Sequence, residues 1–231
     1  MTPVDGSDAP ARPRWGLGDA IPGFAVLMLG AFGGGDSGDT ELSPVALMVG
    51  EVFLAIFLAG IPLWALHRKG RGAPTEIGLR ARLGDVPRYL ALGVAVQAIA
   101  VPLLYLPLLQ FSDYTNDDVS DRAEELTDAA AGFGIVWLVL AVVVIAPVIE
   151  EVFFRGLVLR ALERRFGTGW ALTGSTVLFT VTHFQVIEAP ALALVGATAG
   201  WLAIRHGRLG PSIFLHAGFN GWTVVALLAL E

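Results

Sequence analysis

The chain has 231 residues with a formal net charge of −6; 55% are hydrophobic, 16% are charged, and the mean hydropathy is +0.66. A soluble domain of this length would carry more charge, so the composition indicates a membrane protein. The absence of cysteine excludes disulfides and thiolate chemistry. The chain has a single lysine and no stripe of basic residues, so it lacks the charge pattern of a nucleic-acid-binding protein.

A polar tail precedes the first apolar stretch. Residues 1–20 are rich in Pro, Gly and Asp, which predicts a disordered tail on the cytoplasmic side. Residues 21–231 are predicted to form one membrane-embedded domain, since a bilayer core requires about 20 apolar residues per helix. The predicted spans are residues 21–35, 42–66, 89–111, 132–149, 166–187, 189–204 and 209–230. The predicted fold class is an all-α polytopic membrane helix bundle of about seven to eight transmembrane helices, because a split or re-entrant segment would count twice.

The connecting segments alternate in charge. Six bases lie between the second and third spans, whereas residues 112–131 hold seven acidic residues and one arginine. Further bases follow the fourth and sixth spans. Because basic segments stay in the cytoplasm, the pattern predicts a cytoplasmic N-terminus. The compact size, without an organelle-targeting segment, favours a multi-pass protein of the cell (plasma) membrane.

Ionisable residues lie inside apolar segments in three clusters, and such groups usually face a cavity or one another. The first cluster is Glu150, Glu151 and Arg155, at the inner end of the predicted fourth span. Glu151 and Arg155 are four residues apart, share a helical face and can pair. Glu150 is rotated by about 100° from Glu151 and lacks that cation, so it suits a general base. The alternative is that both acids are interfacial and cap the basic segment.

Each of the other two clusters contains a histidine. Phe179 and His183 are four residues apart in the predicted fifth span, where a histidine can act as a base, an acid or a metal ligand. His216 and Asn220 share a face of the last span and could donate hydrogen bonds to a developing oxyanion. The alternatives are an interfacial His183 and a His216–Asn220 pair that only holds helices together.

Three motifs in the C-terminal half resemble the signature of the CAAX protease and bacteriocin-processing family, also called the Abi family. The motifs are Glu150-Glu151-x-x-x-Arg155, Phe179-x-x-x-His183 and His216-x-x-x-Asn220. Three motifs in this order, in separate spans, are fairly specific. The resemblance covers about residues 132–220, which would form the catalytic core. It implies an intramembrane endopeptidase for a membrane-associated protein or peptide; in eukaryotic relatives the substrate is a prenylated CAAX protein.

The resemblance implies that Glu150 activates the attacking water with help from His183, and that His216 and Asn220 stabilise the oxyanion. No metal is expected, since asparagine is a poor zinc ligand and the chain has no His-Glu-x-x-His motif. The alternative is a metallo-type site in which Glu150, His183 and His216 hold zinc, with water in the fourth position. In that alternative zinc would bind the Glu150 carboxylate, which is needed as the general base.

The remaining motif residues are implied to support the site. Glu151 and Arg155 would hold the first motif in place, and Phe179 would pack beneath it. The seven-span arrangement has one geometric difficulty, because it places His183 nearer the outer face than Glu150. The fifth helix must therefore start deeper, tilt or be broken if the motifs are to converge.

Two other functions compete with the peptidase. One is a non-catalytic membrane regulatory or bacteriocin-immunity protein that binds a partner and uses the polar cluster for recognition. The other is a proton-coupled carrier, which predicts inverted repeats that the sequence does not show. The expected partners are a peptide or lipidated protein substrate and membrane lipid.

Overall fold

The computed structural model describes residues 14–33, 44–70, 74–111 and 133–229, and within these ranges it contains helices and no β-strand. The α-helices are α1 (Ile21–Gly33), α2 (Pro44–Leu58), α3 (Gly60–Lys69), α4 (Asp85–Ala95), α5 (Val101–Phe111), α6 (Phe133–Val139), α7 (Ala146–Glu151), α8 (Arg160–Phe166), α9 (Thr168–Val181), α10 (Ala189–His206) and α11 (Gly210–Leu228). π-Helical segments Val96–Ala100, Leu140–Ile145 and Val152–Leu159 join α4 to α5, α6 to α7 and α7 to α8. The predicted all-α class is confirmed.

Three helical stretches are long and apolar enough to cross a membrane. They are Val52–Lys69, Asp85–Pro107 and Ile135–Phe166. A shorter apolar stretch covers Leu17–Leu29. Every predicted span contains at least one helix, which agrees with a membrane helix bundle. The predicted acidic connection, residues 112–131, lies outside the described residues.

The helix that carries the first motif is longer than the sequence predicts. The predicted fourth span ended at residue 149, whereas the helical chain continues without a break from residue 133 to residue 166. The prediction that Glu150 lies at the inner end of a span is therefore wrong, because Glu150 lies near the middle of this helix. The physical reason is that Val152–Leu159 contains one charged residue, Arg155, and all eight of its residues are buried. A paired arginine does not end the apolar stretch.

A tight helical hairpin brings the first two motifs to the same depth. It turns at Gly167, whose φ of +80° is readily adopted by glycine. Glu150 precedes Gly167 by 17 residues and His183 follows it by 16, so two antiparallel helices place them side by side. The predicted fifth span is wrong at its end, since α9 has 14 residues and stops at Val181. Its length of about 21 Å is less than a bilayer core of about 30 Å.

Helices α4 and α11 pack with their backbones in direct contact. A Cβ atom on Gly93 would overlap the carbonyl group of Leu215, and a Cβ atom on Gly218 would overlap the carbonyl group of Leu90. Small residues permit this approach in membrane helix pairs. The contact fixes the position of His216 along α11 relative to α4.

The segment before α1 is held against the basic end of the bundle. Trp15 and Asp19 are buried, Lys69 pairs with Asp19 at 2.5 Å, and the Arg164 guanidinium lies 3.9 Å from the centroid of the Trp15 ring. The structure differs here from the predicted disordered tail, since residues 14–20 adopt a defined turn. Burial of an indole and paired charges stabilises that turn. Residues 1–13 of the predicted tail lie outside the described residues.

Candidate active site

Glu151 and Arg155 form a buried ion pair near the middle of the long helix. Nη1 of Arg155 donates to Oε1 of Glu151 at 2.9 Å, and the two side chains are 1% and 0% exposed respectively. Nη2 of Arg155 donates to the carbonyl oxygen of Gly196 at 2.8 Å, and the guanidinium lies 4.4 Å from the centroid of the Phe179 ring. A buried charge requires such pairing and hydrogen bonding. The pair thus connects the first motif to α9 and α10.

His216 reaches the same carboxylate from α11. Its Nδ1 atom lies 3.2 Å from Oε1 of Glu151, and its side chain is buried. Because an ionised carboxylate only accepts hydrogen bonds, Nδ1 is the protonated nitrogen and donates. The Nε2 atom of the same ring lies 3.9 Å from Oε2 of Glu150. Glu151 therefore orients His216 so that Nε2 faces Glu150.

His183 approaches Glu150 from the turn after α9. Nδ1 of His183 donates to the carbonyl oxygen of Phe179 at 2.7 Å, and the two ring centroids are 4.6 Å apart. α9 ends at Val181, and in the turn that follows, Phe184 has φ +54°, a left-handed conformation that is uncommon for a bulky side chain. The predicted position of His183 inside a span helix is therefore wrong. Its Nε2 atom lies 3.9 Å from Oε2 of Glu150.

One oxygen of Glu150 thus faces both histidine rings. Among the described residues, Oε2 of Glu150 is buried without a hydrogen-bond partner. A separation of 3.9 Å to each Nε2 is too long for a direct hydrogen bond but suits a bridging water. Both Nδ1 atoms are already engaged, so the two Nε2 atoms and this oxygen are left to bind whatever enters between them. The side chains of Glu150 and His183 are 19% and 24% exposed, which leaves an approach to the site.

Asn220 lies one helical turn beyond His216 and binds the long helix. Its Nδ2 atom donates to the carbonyl oxygen of Val142 at 2.9 Å. Val142 belongs to the π-helical segment Leu140–Ile145, in which a carbonyl bonds the N–H five residues later. For Val142 that residue is Pro147, which has no N–H. Asn220 therefore supplies the missing donor with one N–H of its amide group.

The spacing of the donor atoms differs from that of a zinc site. Tetrahedral zinc with nitrogen and oxygen ligands places its ligand atoms roughly 3.3 to 3.5 Å apart. The Glu150 oxygen is 3.9 Å from each histidine nitrogen. In the part of the chain that the structure describes, no group of three or more metal-ligating side chains meets the geometry of a metal site. The metal-free assignment stays a prediction that chelation can test.

The structure assigns supporting roles to residues that the sequence analysis did not select. Gly196 accepts the Arg155 hydrogen bond, and a Cβ atom there would lie 3.1 Å from the Phe179 ring and 3.4 Å from Nη2 of Arg155. Pro147 leaves a carbonyl group free for Asn220. The available signals were a glycine inside an apolar segment and a proline three residues before the first motif. Neither signal predicts which residue Gly196 contacts or which residue binds the carbonyl group that Pro147 leaves free.

Comparison with known proteins gives one match, and it covers the segment that bears the site. Residues 132–222 match the family model described as Rce1-like, type II CAAX prenyl endopeptidase. The match includes all seven motif residues and the helices that carry them. No curated protein and no solved structure matches the chain. The resemblance indicated by the motifs is thereby confirmed for residues 132–222: the segment that bears the site is similar to the Rce1-like type II CAAX prenyl endopeptidases.

Proposed function

We propose that the protein is an intramembrane endopeptidase in which Glu150 activates water for hydrolysis of a peptide bond. The observation that carries this proposal is the position of the Glu150 Oε2 atom, which is buried and 3.9 Å from Nε2 of both His183 and His216. A water placed between these atoms has a carboxylate to accept its proton and a histidine to orient it. General base catalysis of this kind contributes about 10²- to 10⁴-fold in rate.

The reaction follows from this placement. Glu150 takes a proton from the water as the water oxygen forms a bond to the peptide carbonyl carbon. The carbonyl π electrons move to the carbonyl oxygen, which becomes the oxyanion. An electron pair of the oxyanion then re-forms the C=O bond as the C–N bond breaks. The C–N electron pair goes to the amine nitrogen, and the proton held by Glu150 is transferred to that nitrogen. The products are a carboxyl group and an amine.

The charge of the buried cluster supports a role for His216 in stabilising the oxyanion. If Glu150 and Glu151 are both ionised and Arg155 is the cation of the cluster, one negative charge is left uncompensated. A proton on Nε2 of His216 would make the cluster neutral, and Glu151 already binds the other ring nitrogen at 3.2 Å. Burying a neutral, hydrogen-bonded cluster costs less than burying a net charge. The protonated ring then presents Nε2–H to the oxyanion.

Asn220 is proposed as the second donor to the oxyanion. Its one engaged N–H binds Val142 and fixes the orientation of the amide, while the other N–H is available to a ligand. Preorganised donors of this type stabilise charge without reorganisation during the reaction. His183, held by the Phe179 carbonyl, would orient the water.

We propose that the substrates are membrane-associated proteins or peptides with a prenylated CAAX-type C-terminus. The family description supports this proposal, since it refers to CAAX prenyl endopeptidases. The apolar helices around the site would keep the substrate within the bilayer. The plasma membrane and a cytoplasmic N-terminus remain part of the same proposal.

The test compares the purified wild-type protein with Glu150→Gln on quenched peptides with and without a prenyl group. The substitution keeps the shape of the side chain and removes the base. We expect wild type to cleave the prenylated peptides and Glu150→Gln to lose about 10²- to 10⁴-fold in kcat. A parallel series with a strong chelator should leave the wild-type rate unchanged if the site uses no metal.

Glu163→Gln is the matched control, because Glu163 lies on the same long helix, outside the cluster, and accepts a hydrogen bond from Thr168. This variant should cleave like wild type. Cleavage by Glu150→Gln at the wild-type rate would refute the assignment of the base. Loss of activity on chelation, restored by added zinc, would refute the metal-free assignment.

A further inference from the structure

A cationic cavity lies at the basic end of the bundle. It has a volume of about 390 Å³ and is lined by Arg14, Trp64, Arg68 and Lys69. The Lys69 ammonium pairs with Asp19. Within the described part of the chain, no carboxylate lies within ion-pair distance of Arg14 or Arg68. The cavity therefore combines exposed positive charge with an indole.

An apolar groove of about 430 Å³ lies on the same helical stretch. Its walls include Val52, Ile56, Gly60 and Leu63 on one side and Trp137 and Ile145 on the other. Val52 and Ile56 are 53% and 61% exposed, so the groove opens to the surroundings of the bundle and not into its core. A groove of this kind in a membrane protein faces acyl chains.

The groove and the cavity follow one another along a single helical face. Gly60 lines the groove, whereas Trp64 and Arg68, four and eight residues later, line the cationic cavity. Residues at this spacing lie above one another on a helix. The distance along the helix from Val52 to Arg68 is about 24 Å. One leaflet of a bilayer, with its headgroups, is about 20 to 22 Å thick.

We propose that this face binds one anionic phospholipid from the leaflet at the basic end of the bundle. Its phosphate would lie on Arg14 and Arg68, and one acyl chain would lie in the groove. The match of charge, depth and continuity favours a phospholipid over a soluble anion, which would need no groove. Trp64, which is 55% exposed between the two parts, has the position of an interfacial indole.

The N-terminal segment completes the site. The backbone N–H of Arg14 donates to the carbonyl oxygen of Lys69 at 3.3 Å, which places Arg14 beside the end of α3. Trp15 anchors the same segment by its contact with Arg164. The lipid would thus join the N-terminal segment to α3. None of these residues belongs to the Glu150 cluster, so lipid binding and peptidase activity can be refuted separately.

The test measures lipid binding to the full chain in zwitterionic micelles. Phosphatidylglycerol, phosphatidylcholine and inorganic phosphate are titrated separately, with bound lipid counted by native mass spectrometry and the midpoint of thermal unfolding recorded. The double variant Arg14→Gln/Arg68→Gln removes the headgroup contacts. Arg80→Gln/Arg82→Gln removes the same charge from exposed positions outside the cavity.

A third variant tests the groove. Gly60 lines the groove, and a Cβ atom there would meet nothing within 4 Å, so Gly60→Leu adds a side chain at the groove from a position with room for its Cβ atom. It should weaken phosphatidylglycerol binding and leave the response to inorganic phosphate unchanged. Ala at the same position, which is smaller, should have a lesser effect on the lipid.

We expect phosphatidylglycerol to bind wild type in preference to phosphatidylcholine. The Arg14→Gln/Arg68→Gln variant should bind it about 30-fold more weakly, and the control double variant should resemble wild type. Equal binding of the two lipids, or equal losses in the two double variants, would overturn the proposal. The proposal would also be overturned if inorganic phosphate reproduced the whole response to phosphatidylglycerol and Gly60→Leu bound that lipid like wild type. The site would then bind phosphate alone.

Discussion

Arg155 and His216 hydrogen-bond the same oxygen atom, Oε1 of Glu151, at 2.9 and 3.2 Å. The two donors come from different helices, and Arg155 also donates to Gly196 on a third. Glu151 is therefore the junction through which the first and third motifs are held together. Because the junction is buried and charged, its contribution to stability can be separated from the chemistry assigned to Glu150.

The first prediction concerns the cation of this junction. Arg155→Met keeps much of the side-chain length but leaves Glu151 without its strongest partner in a buried site. Breaking a buried ion pair in this way costs about 3 to 5 kcal/mol. We expect the free energy of unfolding in detergent to fall by that amount, as measured by denaturant titration.

A double variant and a surface control make the result specific. Arg155→Met/Glu151→Gln removes both charges and should recover most of the lost stability, because no unpaired charge remains. Arg165→Met changes an exposed arginine at the end of the same helix and should have little effect. Equal stability of Arg155→Met and wild type would contradict the ion-pair assignment.

Much of this arrangement follows from local sequence pattern. Apolar runs of about 20 residues predict helices in a membrane, and every predicted span contains one. A spacing of four residues predicts the contact between Glu151 and Arg155, since such positions share a helical face. Both predictions depend only on residues that are near one another in the chain.

The depth of the residues could not be predicted from hydropathy. Glu150, Glu151 and Arg155 lower the local hydropathy and so mimic the end of a span, although pairing allows the helix to continue to residue 166. Glu150 and His183 lie 17 and 16 residues from Gly167, and these similar separations were a usable signal for the hairpin. The left-handed residue in the turn after α9 is a phenylalanine, a residue type that does not predict that conformation.

The second prediction separates two roles of Asn220. Asn220→Leu should destabilise the protein by about 1 to 3 kcal/mol, because the Val142 carbonyl would lose its donor. Pro147→Ala restores a backbone N–H five residues after Val142. In the double variant, stability measured by denaturant titration should recover, but peptide cleavage should not if the second amide N–H binds the oxyanion. Recovery of both properties would show that Asn220 has only a structural role.

The third prediction concerns the packing of α4 against α11. Gly93→Ala and Gly218→Ala would each place a methyl group in contact with the backbone of the other helix. Overpacking of this kind costs about 1 to 3 kcal/mol and should shift His216 away from Glu151. Gly50→Ala is the control, since a Cβ atom there meets nothing within 4 Å. Thermal unfolding should show lower midpoints for the first two variants only; three equal midpoints would contradict the close contact.

The fourth prediction concerns His206, which follows the predicted sixth span at the basic end. Its Nε2 atom lies 2.9 Å from the hydroxyl oxygen of Tyr89, within hydrogen-bond distance. Burial, followed by the positive charges of Arg208, Arg205 and Arg88, lowers the pKa of His206 from its usual value of 6.5. The unfolded chain therefore binds a proton at a higher pH than the folded protein does.

This difference makes the folded state less stable in acid. The contribution of His206 is fully present above the unfolded pKa of about 6.5 and is lost as the pH falls through the lower folded pKa. We expect the unfolding midpoint in detergent to decrease between pH 7.5 and 5.5, and to decrease less in His206→Gln, which does not titrate. His67→Gln, which removes an exposed histidine from the same end of the bundle, is the matched control. If His206→Gln and wild type had the same slope, the pH dependence would have to come from other groups.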